Sequence, residues 1–255
     1  MKAVILAAGV GSRIRSLTGG APKCMLRFEG RTILDYQIGA LAQAGIEDIA
    51  IVTGYRSAEV ARAAVASAAA AGARVAILVN ERFATTNNMY SLSMARDWLA
   101  GEPFLCLNAD VLCHPDLPSL LMNPRDGAQI LVDPEFHDET TKVTVVDGRV
   151  AAMGKRIPWE EASGTFVNIA SFSSPFAERL FREAARQFAA GRCDQFFNDV
   201  FNDLIAQGVR VEPVDSRGLP WAEIDDEKDY LQARDTVAPA VAASAEEWRE
   251  LPVVA

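Results

Sequence analysis

The sequence predicts an α/β fold on a mostly parallel sheet, and three observations predict it. Short, almost wholly apolar runs recur at residues 2–6, 48–53, 74–79 and 104–107, each the length of a strand buried on both faces. Helical patterns separate the first three runs, giving a β-α-β-α-β order that requires right-handed crossovers. The runs deliver Gly9, Gly54, Asn80 and Asp110 at or near their C-terminal ends, where open α/β sheets hold ligands.

The first run carries the most information. Lys-Ala-Val-Ile-Leu at 2–6 opens into Ala7-Ala8-Gly9-Val10-Gly11-Ser12-Arg13, and the stretch closes with Pro22-Lys23-Cys24-Met25-Leu26. A buried strand that feeds a loop of small residues presents backbone donors to a phosphate. Gly9 and Gly11 allow close backbone approach, and Arg13 and Lys23 add fixed positive charge. As a loop cation, Lys23 is expected to be exposed and to contribute little to stability. A Walker loop is excluded because no Gly-x4-Gly-Lys-Ser/Thr string occurs. The dinucleotide fingerprint is excluded because Ile14 stands where its third small residue belongs.

The remaining elements follow in order. Thr32 begins a helix over 33–41 with Gly45 as its C-cap, and Ser57 caps an alanine-rich helix to about residue 71. Asn87 or Asn88 caps a helix running to about residue 99. One cap explains one asparagine, not two together with Asn80. The run at 104–107 leads into Asn108-Ala109-Asp110, where a carboxylate is well placed to hold Mg²⁺ against a triphosphate. A strand at 128–132 precedes a hairpin, 141–146 and 149–153, turned by Asp147-Gly148 and followed by Gly154-Lys155. A strand over 165–172 carries Asn168. Two helices, 175–190 and 194–207, lead to a strand at 209–214. The phenylalanines at 196, 197 and 201 fall at core spacing. From about residue 236 the tail reads as a peripheral helix or a partly disordered segment, so residues 1–235 make a single domain.

Composition narrows the function. A net charge of −9 and a pI near 4.9 argue against nucleic acid or an anionic membrane as the main partner. Met1 runs directly into the first strand and no 18-residue apolar stretch occurs, so a cytoplasmic protein without membrane insertion is expected. Cys24, Cys106, Cys113 and Cys193 show no paired spacing and read as reduced thiols. With only His114 and His137, neither zinc binding nor histidine catalysis is expected.

The string Leu6-Ala7-Ala8-Gly9-Val10-Gly11-Ser12-Arg13 with Pro22-Lys23 resembles the signature of the nucleotidyltransferases that activate sugar phosphates and phosphocholine. Glu223-Ile224-Asp225 through Asp229-Tyr230 resembles their closing motif. The likeness, extended by Gly54-Tyr55, Asn80 and residues 87–92, is greatest to the phosphocholine cytidylyltransferase branch and covers about residues 1–235. It implies a Rossmann-like three-layer sandwich, with a mostly parallel mixed central sheet and a small inserted β-hairpin lobe on the acceptor side. It implies Mg²⁺ on Asp110 and Asp225, and a nucleotide held by Leu6, Ala7, Ala8, Gly9, Gly11, Ser12, Asn80, Asn87, Asn88 and Ser91. Arg13, Lys23 and Lys155 would be the catalytic cations. Asn168, Lys142, Phe197 and Trp221 would face the acceptor, the two aromatics suiting a quaternary ammonium.

The implied reaction moves a nucleotidyl group, CMP from CTP, to a small phosphorylated or phosphonate acceptor with release of pyrophosphate. Phosphocholine and 2-aminoethylphosphonate are the acceptors implied. Residues 138–142 read Asp-Glu-Thr-Thr-Lys where choline-specific relatives carry an aromatic, a departure that argues for a more anionic acceptor. A sugar-1-phosphate uridylyl- or thymidylyltransferase, and a non-catalytic nucleotide-sensing subunit, are the alternatives. A homodimer is left open.

Overall fold

Alternation along the first strand shows how the core is divided. In the computed structural model, β1 (Lys2–Ala7) sends Val4 and Leu6 into one apolar cluster and Ala3, Ile5 and Ala7 into another. β2 (Asp48–Thr53) and β4 (Phe104–Asn108) divide in the same way, so the strands are buried on both faces. β3 (Arg74–Val79) lies beyond β2 at the sheet's edge. The structure describes residues 1–124, 127–135 and 140–244. Positions 138 and 139 of the Asp-Glu-Thr-Thr-Lys reading, His137, and the tail after Ser244 lie outside them.

Apart from the two-residue strands Arg27–Phe28 and Arg31–Thr32, which pair with each other, the remaining strands are β5 (Val111–Cys113), β6 (Ala128–Asp133), β7 (Lys142–Val146), β8 (Arg149–Gly154), β9 (Gly164–Phe172), β10 (Val211–Asp215) and β11 (Trp221–Glu223). The central sheet runs β3-β2-β1-β4-β9-β6-β10. β9 alone in that series runs against its neighbours. The hairpin β7–β8 joins the N-terminal end of β9 through Gly164 and Thr165. Its turn places Asp147 and Gly148 at φ 50° and 71°, the conformation that an Asp-Gly hairpin requires. The inserted hairpin expected from the sequence is thus present on the edge of β9.

Helices cover both faces. α1 (Ile33–Gln43) and α2 (Ser57–Ala71) pack on one side with Leu34, Ile38, Val60 and Ala64. α3 (Asn88–Ser93), α4 (Ser174–Ala189) and α5 (Phe197–Ala206) pack on the other around Met89, Phe176 and Phe201. The result is the three-layer arrangement that the sequence predicts. Thr32 caps α1 in a full capping box with Asp35. Ser57 does not cap α2. Arg56 occupies that position in a left-handed conformation, while the Ser57 hydroxyl lies 2.7 Å from that of Thr53. The helix expected over 87–99 is broken at Met94, and α5 begins three residues later than expected.

A third cluster, with Ile14, Leu26, Phe28, Tyr36 and Ile224, sits beneath the first loop. The short helix α6 (Glu227–Gln232) leads toward α7 (Ala238–Ser244), whose Ala238 and Val241 are fully buried in that cluster. α7 is therefore packed against the loop's underside and is not peripheral.

Candidate active site

The first loop is tied down before it meets any ligand. Gly11 takes φ 62°, its carbonyl accepts from Ile14 N–H at 3.2 Å, and the Ile14 side chain is fully buried. A Cβ on Gly11 would lie 2.8 Å from Lys23 Cγ, so glycine is required both by backbone conformation and by close approach. Lys23 is held by a tight turn in which Met25 N–H donates to Pro22 O and Leu26 N–H to Lys23 O, with Cys24 anchored in the core.

Asp110 follows β4 and Asp225 follows β11, and a short antiparallel ladder brings them together. β11 pairs with β5, and Ile224 N–H donates to Asp110 O at 2.9 Å. Asp225 is fixed from behind by Asp229, whose carboxylate accepts from the N–H groups of Asp225 and Asp226 at 2.8 and 3.0 Å. Lys23 bridges the pair. Its Nζ lies 2.5 Å from Asp225 Oδ1 and 3.3 Å from Asp110 Oδ2, partners 202 and 87 residues away in sequence. Arg13 Nη2 lies 2.8 Å from Asp225 Oδ2, and Lys155 Nζ lies 3.8 Å from the same oxygen.

Electrostatics follow from this packing. Burial alone would lower the pKa of Lys23, but the charges of Asp110 and Asp225 outweigh it and hold the ammonium above its ordinary range. Burial would raise that of Asp225, and the Lys23, Arg13 and Lys155 charges pull it down instead. Glu223 is pushed up to about 8 by burial and by the neighbouring Asp110 and Asp225.

Asp110, Glu223 and Asp225 each place a carboxylate oxygen within 4.8 Å of the others. Asp110 Oδ1 is buried with no hydrogen-bond partner. An orphaned oxygen inside an all-oxygen trio fits a hard divalent cation such as Mg²⁺. The sequence reading assigned Asp110 and Asp225 but passed over Glu223 as a ligand. The signal was present, because residues 223 and 225 are two apart and share the face of an extended segment.

The trio and its cations open into a cleft of about 680 Å³. Leu6, Ala8, Gly9, Arg13, Asn87, Asn88, Ser91, Asp110, Lys155, Asn168, Phe197 and Asp225 all line it. Ala7, Gly11, Ser12 and Lys23 line an adjoining pocket of about 240 Å³ shared with Arg13 and Asp110. Asn87 caps α3 by accepting from Asn88 N–H at 2.9 Å, and Asn88 accepts from Phe197 N–H at 2.8 Å.

Four residues sit differently from expectation. Asn80 is buried and donates to Thr86 and Ser91 hydroxyls at 3.1 and 3.0 Å, so it fastens the loop internally. Trp221 is 5% exposed because β11 pairs it with Cys113 and packs it in the core, where its indole N–H donates to Asp133 at 2.5 Å. Lys142 donates to the Lys155 carbonyl at 2.8 Å and lies 4.3 Å over the Trp159 ring, so it braces the strand end from outside. Phe197 touches the cleft but is 3% exposed, because its ring is wedged edge-on against Phe166 and Phe201. Phe196, 53% exposed, is the most accessible aromatic lining the cleft.

Lys155 is further secured by a residue that the sequence did not reveal. Asn202 on α5 accepts from Met153 N–H at 2.9 Å and donates to Met153 O at 2.8 Å, a two-point clamp on the edge of β8. His114 lies elsewhere, its pKa lowered by burial and its Nδ1 accepting from Asp116 N–H at 3.2 Å.

A glycine-rich loop, a Lys23 bridge and a paired-carboxylate centre at the strand ends coincide with a match of residues 3–165 to the MobA-like NTP transferase domain. The chain belongs to that family. It is 29% identical over 199 residues to the CTP:phosphoglutamine cytidylyltransferase of Campylobacter jejuni, covering 71% of this chain and 76% of that protein. It is 26% identical over 238 residues to the choline-phosphate cytidylyltransferase of Streptococcus pneumoniae, covering 92% and 97%. A longer relative, the CMP-5'-(3-aminopropyl)phosphonate synthase of Streptomyces rubellomurinus, is 26% identical over 94% of this chain, which spans only 39% of that protein's length. Among solved structures, the inositol-1-phosphate CTP transferase from T. maritima shares the fold with a TM-score of 0.82 at 21% identity, over 96% of both chains. Among the described residues, no helix of this NTP transferase is long and apolar enough to cross a membrane.

Proposed function

We propose that this NTP transferase is a Mg²⁺-dependent cytidylyltransferase that moves CMP from CTP to a small phosphorylated or phosphonate acceptor and releases pyrophosphate. The observation that carries the reading is Lys23, held between Asp110 and Asp225 beside the glycine loop. Cytidylyltransferase relatives with several acceptors support CTP as donor.

The acceptor phosphate or phosphonate is already an anion, so no side chain need remove a proton from the nucleophile. The residues have to bring two polyanions together and neutralise the charge that builds up as they react. The loop amides and Arg13 hold the triphosphate, and Lys23 faces the α-phosphate and the departing pyrophosphate. Lys155, clamped through Met153, holds the acceptor. Asn87, Asn88 and Ser91 face the nucleoside. Asp110, Glu223 and Asp225 would hold Mg²⁺, which supplies charge neutralisation and polarisation of phosphoryl oxygens.

The test is pyrophosphate release with Mg²⁺, crossing CTP, UTP, dTTP, ATP and GTP against phosphocholine, 2-aminoethylphosphonate, glucose-1-phosphate and a phosphorylated amino-acid derivative. Turnover confined to CTP, and lost in EDTA, is the expected result. A preference for UTP or dTTP with glucose-1-phosphate would overturn the cytidylyl assignment, and silence throughout would overturn transfer to these acceptors.

A further inference from the structure

Gln37 lies wholly buried in α1, on the helix that Leu34, Ile38 and Leu41 fix against the sheet. An amide buried there is costly unless it is hydrogen-bonded. Its Nε2 donates to Asn108 O at 2.7 Å and to Val111 O at 2.9 Å, partners 71 and 74 residues away. These carbonyls flank the two-residue turn, Ala109-Asp110, that joins β4 to β5. Strand pairing leaves both of them free. β9 is irregular between Phe166 and Ala170, and its pairing with β4 stops at Ile169–Leu107, short of Asn108. Ile224 N–H donates to Asp110 O, so the next carbonyl, that of Val111, points away from β11.

One amide nitrogen therefore closes the turn from both sides. Both of its hydrogens go to carbonyls, which fixes the amide's orientation and leaves Oε1 buried without a partner. Packing alone would be served by leucine or methionine, so the turn is what explains an amide with an orphaned oxygen at this place. The turn is pinned at further points. Ala109 N–H donates to Leu6 O at 3.2 Å, and the Asn108 side chain donates to Asn168 Oδ1 at 3.0 Å. With its backbone held, Asp110 faces Lys23 through Oδ2 at 3.3 Å and keeps Oδ1 for a cation shared with Glu223 and Asp225.

Resting on the Mg²⁺ site of the transferase reading above, we propose that Gln37 is the positioning residue that sets the cation affinity of that site, by clasping the turn that carries Asp110. Gln37 lines neither the cleft nor the adjoining pocket, so it acts only through the backbone at the two ends of the turn. Without the clasp, Asp110 is free to leave Glu223 and Asp225, and the cation loses one of three carboxylates.

The test titrates the full chain with Mn²⁺, a paramagnetic substitute for Mg²⁺, and reads the free ion by electron paramagnetic resonance without CTP. It compares wild type with Gln37→Met, Gln37→Glu and Ile38→Ala. Methionine fills the same space with no donor, whereas a glutamic acid buried against two carbonyls stays protonated and keeps one. Ile38→Ala opens a cavity in the same helix and offers nothing to either carbonyl, so it reports the effect of lost stability alone. The Mn²⁺ dissociation constant should rise about tenfold or more in Gln37→Met, and by less in Gln37→Glu. It should stay within about twofold in Ile38→Ala, although that variant unfolds at lower urea. The Mg²⁺ concentration that half-saturates pyrophosphate release should rise in step in Gln37→Met, with kcat at saturating Mg²⁺ within about threefold. An unchanged constant in a folded Gln37→Met, or an equal loss in Ile38→Ala, overturns the inference. If Gln37→Met does not fold, Gln37→Glu decides, and a constant equal to that of wild type overturns it. Wild type that binds no Mn²⁺ overturns it as well. Wild type that binds Mn²⁺ but is silent with CTP and every acceptor overturns the transfer reading alone.

Discussion

Lys23→Met removes the central cation while keeping most of the stem that packs beside Gly11. Lys23 is 16% exposed and contacts two carboxylates that are themselves largely shielded, so it is not the exposed loop cation expected from the sequence. Its loss leaves Asp110, Glu223 and Asp225 within 4.8 Å of one another. Glu223, raised to about 8, is largely protonated at pH 7.5, so the like-charge pair that remains is Asp110–Asp225, which at an effective dielectric of 20 repels by about 3 kcal/mol at that separation. Breaking a buried pair by removing one partner costs about 3–5 kcal/mol. Arg13 and Lys155 remain on Asp225, which places the expected loss near the lower bound, about 3 kcal/mol, in metal-free buffer at pH 7.5. Urea unfolding in EDTA measures it. Millimolar Mg²⁺ should recover more stability in the variant than in wild type, because the released carboxylates no longer compete for an internal cation. Turnover should fall about 10²–10³-fold, the usual cost of removing one preorganised charge-stabilising donor. An unfolding free energy within about 0.5 kcal/mol of wild type, together with turnover within a few-fold, would refute the bridging role.

Other perturbations separate the parts of the site. Glu223, raised to about 8, stays protonated in the folded chain after its unfolded counterpart has ionised. Metal-free stability should therefore fall as pH rises from about 4.5 to about 8 and level off above, by a few kcal/mol at most. Glu223→Gln should flatten that slope in urea titrations, and an identical slope would sink the assignment. Gly11→Ala should cost about 1–2 kcal/mol in left-handed strain and slow turnover by displacing Lys23, read by melting and kcat together. Asn202→Ala should release Met153 and raise the acceptor KM several-fold while the CTP KM holds, since the clamp touches only the strand that leads to Lys155. Trp221→Phe should destabilise the chain by about 1–3 kcal/mol, by leaving Asp133 short of a donor, with the acceptor KM unchanged. A raised KM would return Trp221 to the acceptor site.

By itself the sequence determined what depends on local pattern. Continuous apolar runs separated by helical periods specify a parallel sheet buried on both faces. Asp147-Gly148 specifies a tight hairpin, because few other pairs take two positive φ angles. Gly9, Gly11, Arg13, Pro22 and Lys23 stand close enough in the chain for their spacing to signal a phosphate loop. The three-dimensional fold decided which distant groups meet. Lys23, Asp110 and the Glu223–Asp225 pair belong to separate segments, the β5–β11 ladder brings the carboxylates together, and a linear reading could not tell that Lys23 lies buried between them. Strand pairing likewise turned Trp221 into the core and set Asn168 against Asn108 in a bulge, while the packing of α5 aimed Asn202 at Met153. Such side chains are ambiguous in sequence because an asparagine, a tryptophan or a lysine suits a surface, a cap or a site equally well. The identity of the neighbour across a strand or cleft decides among those roles, and only packing supplies that neighbour.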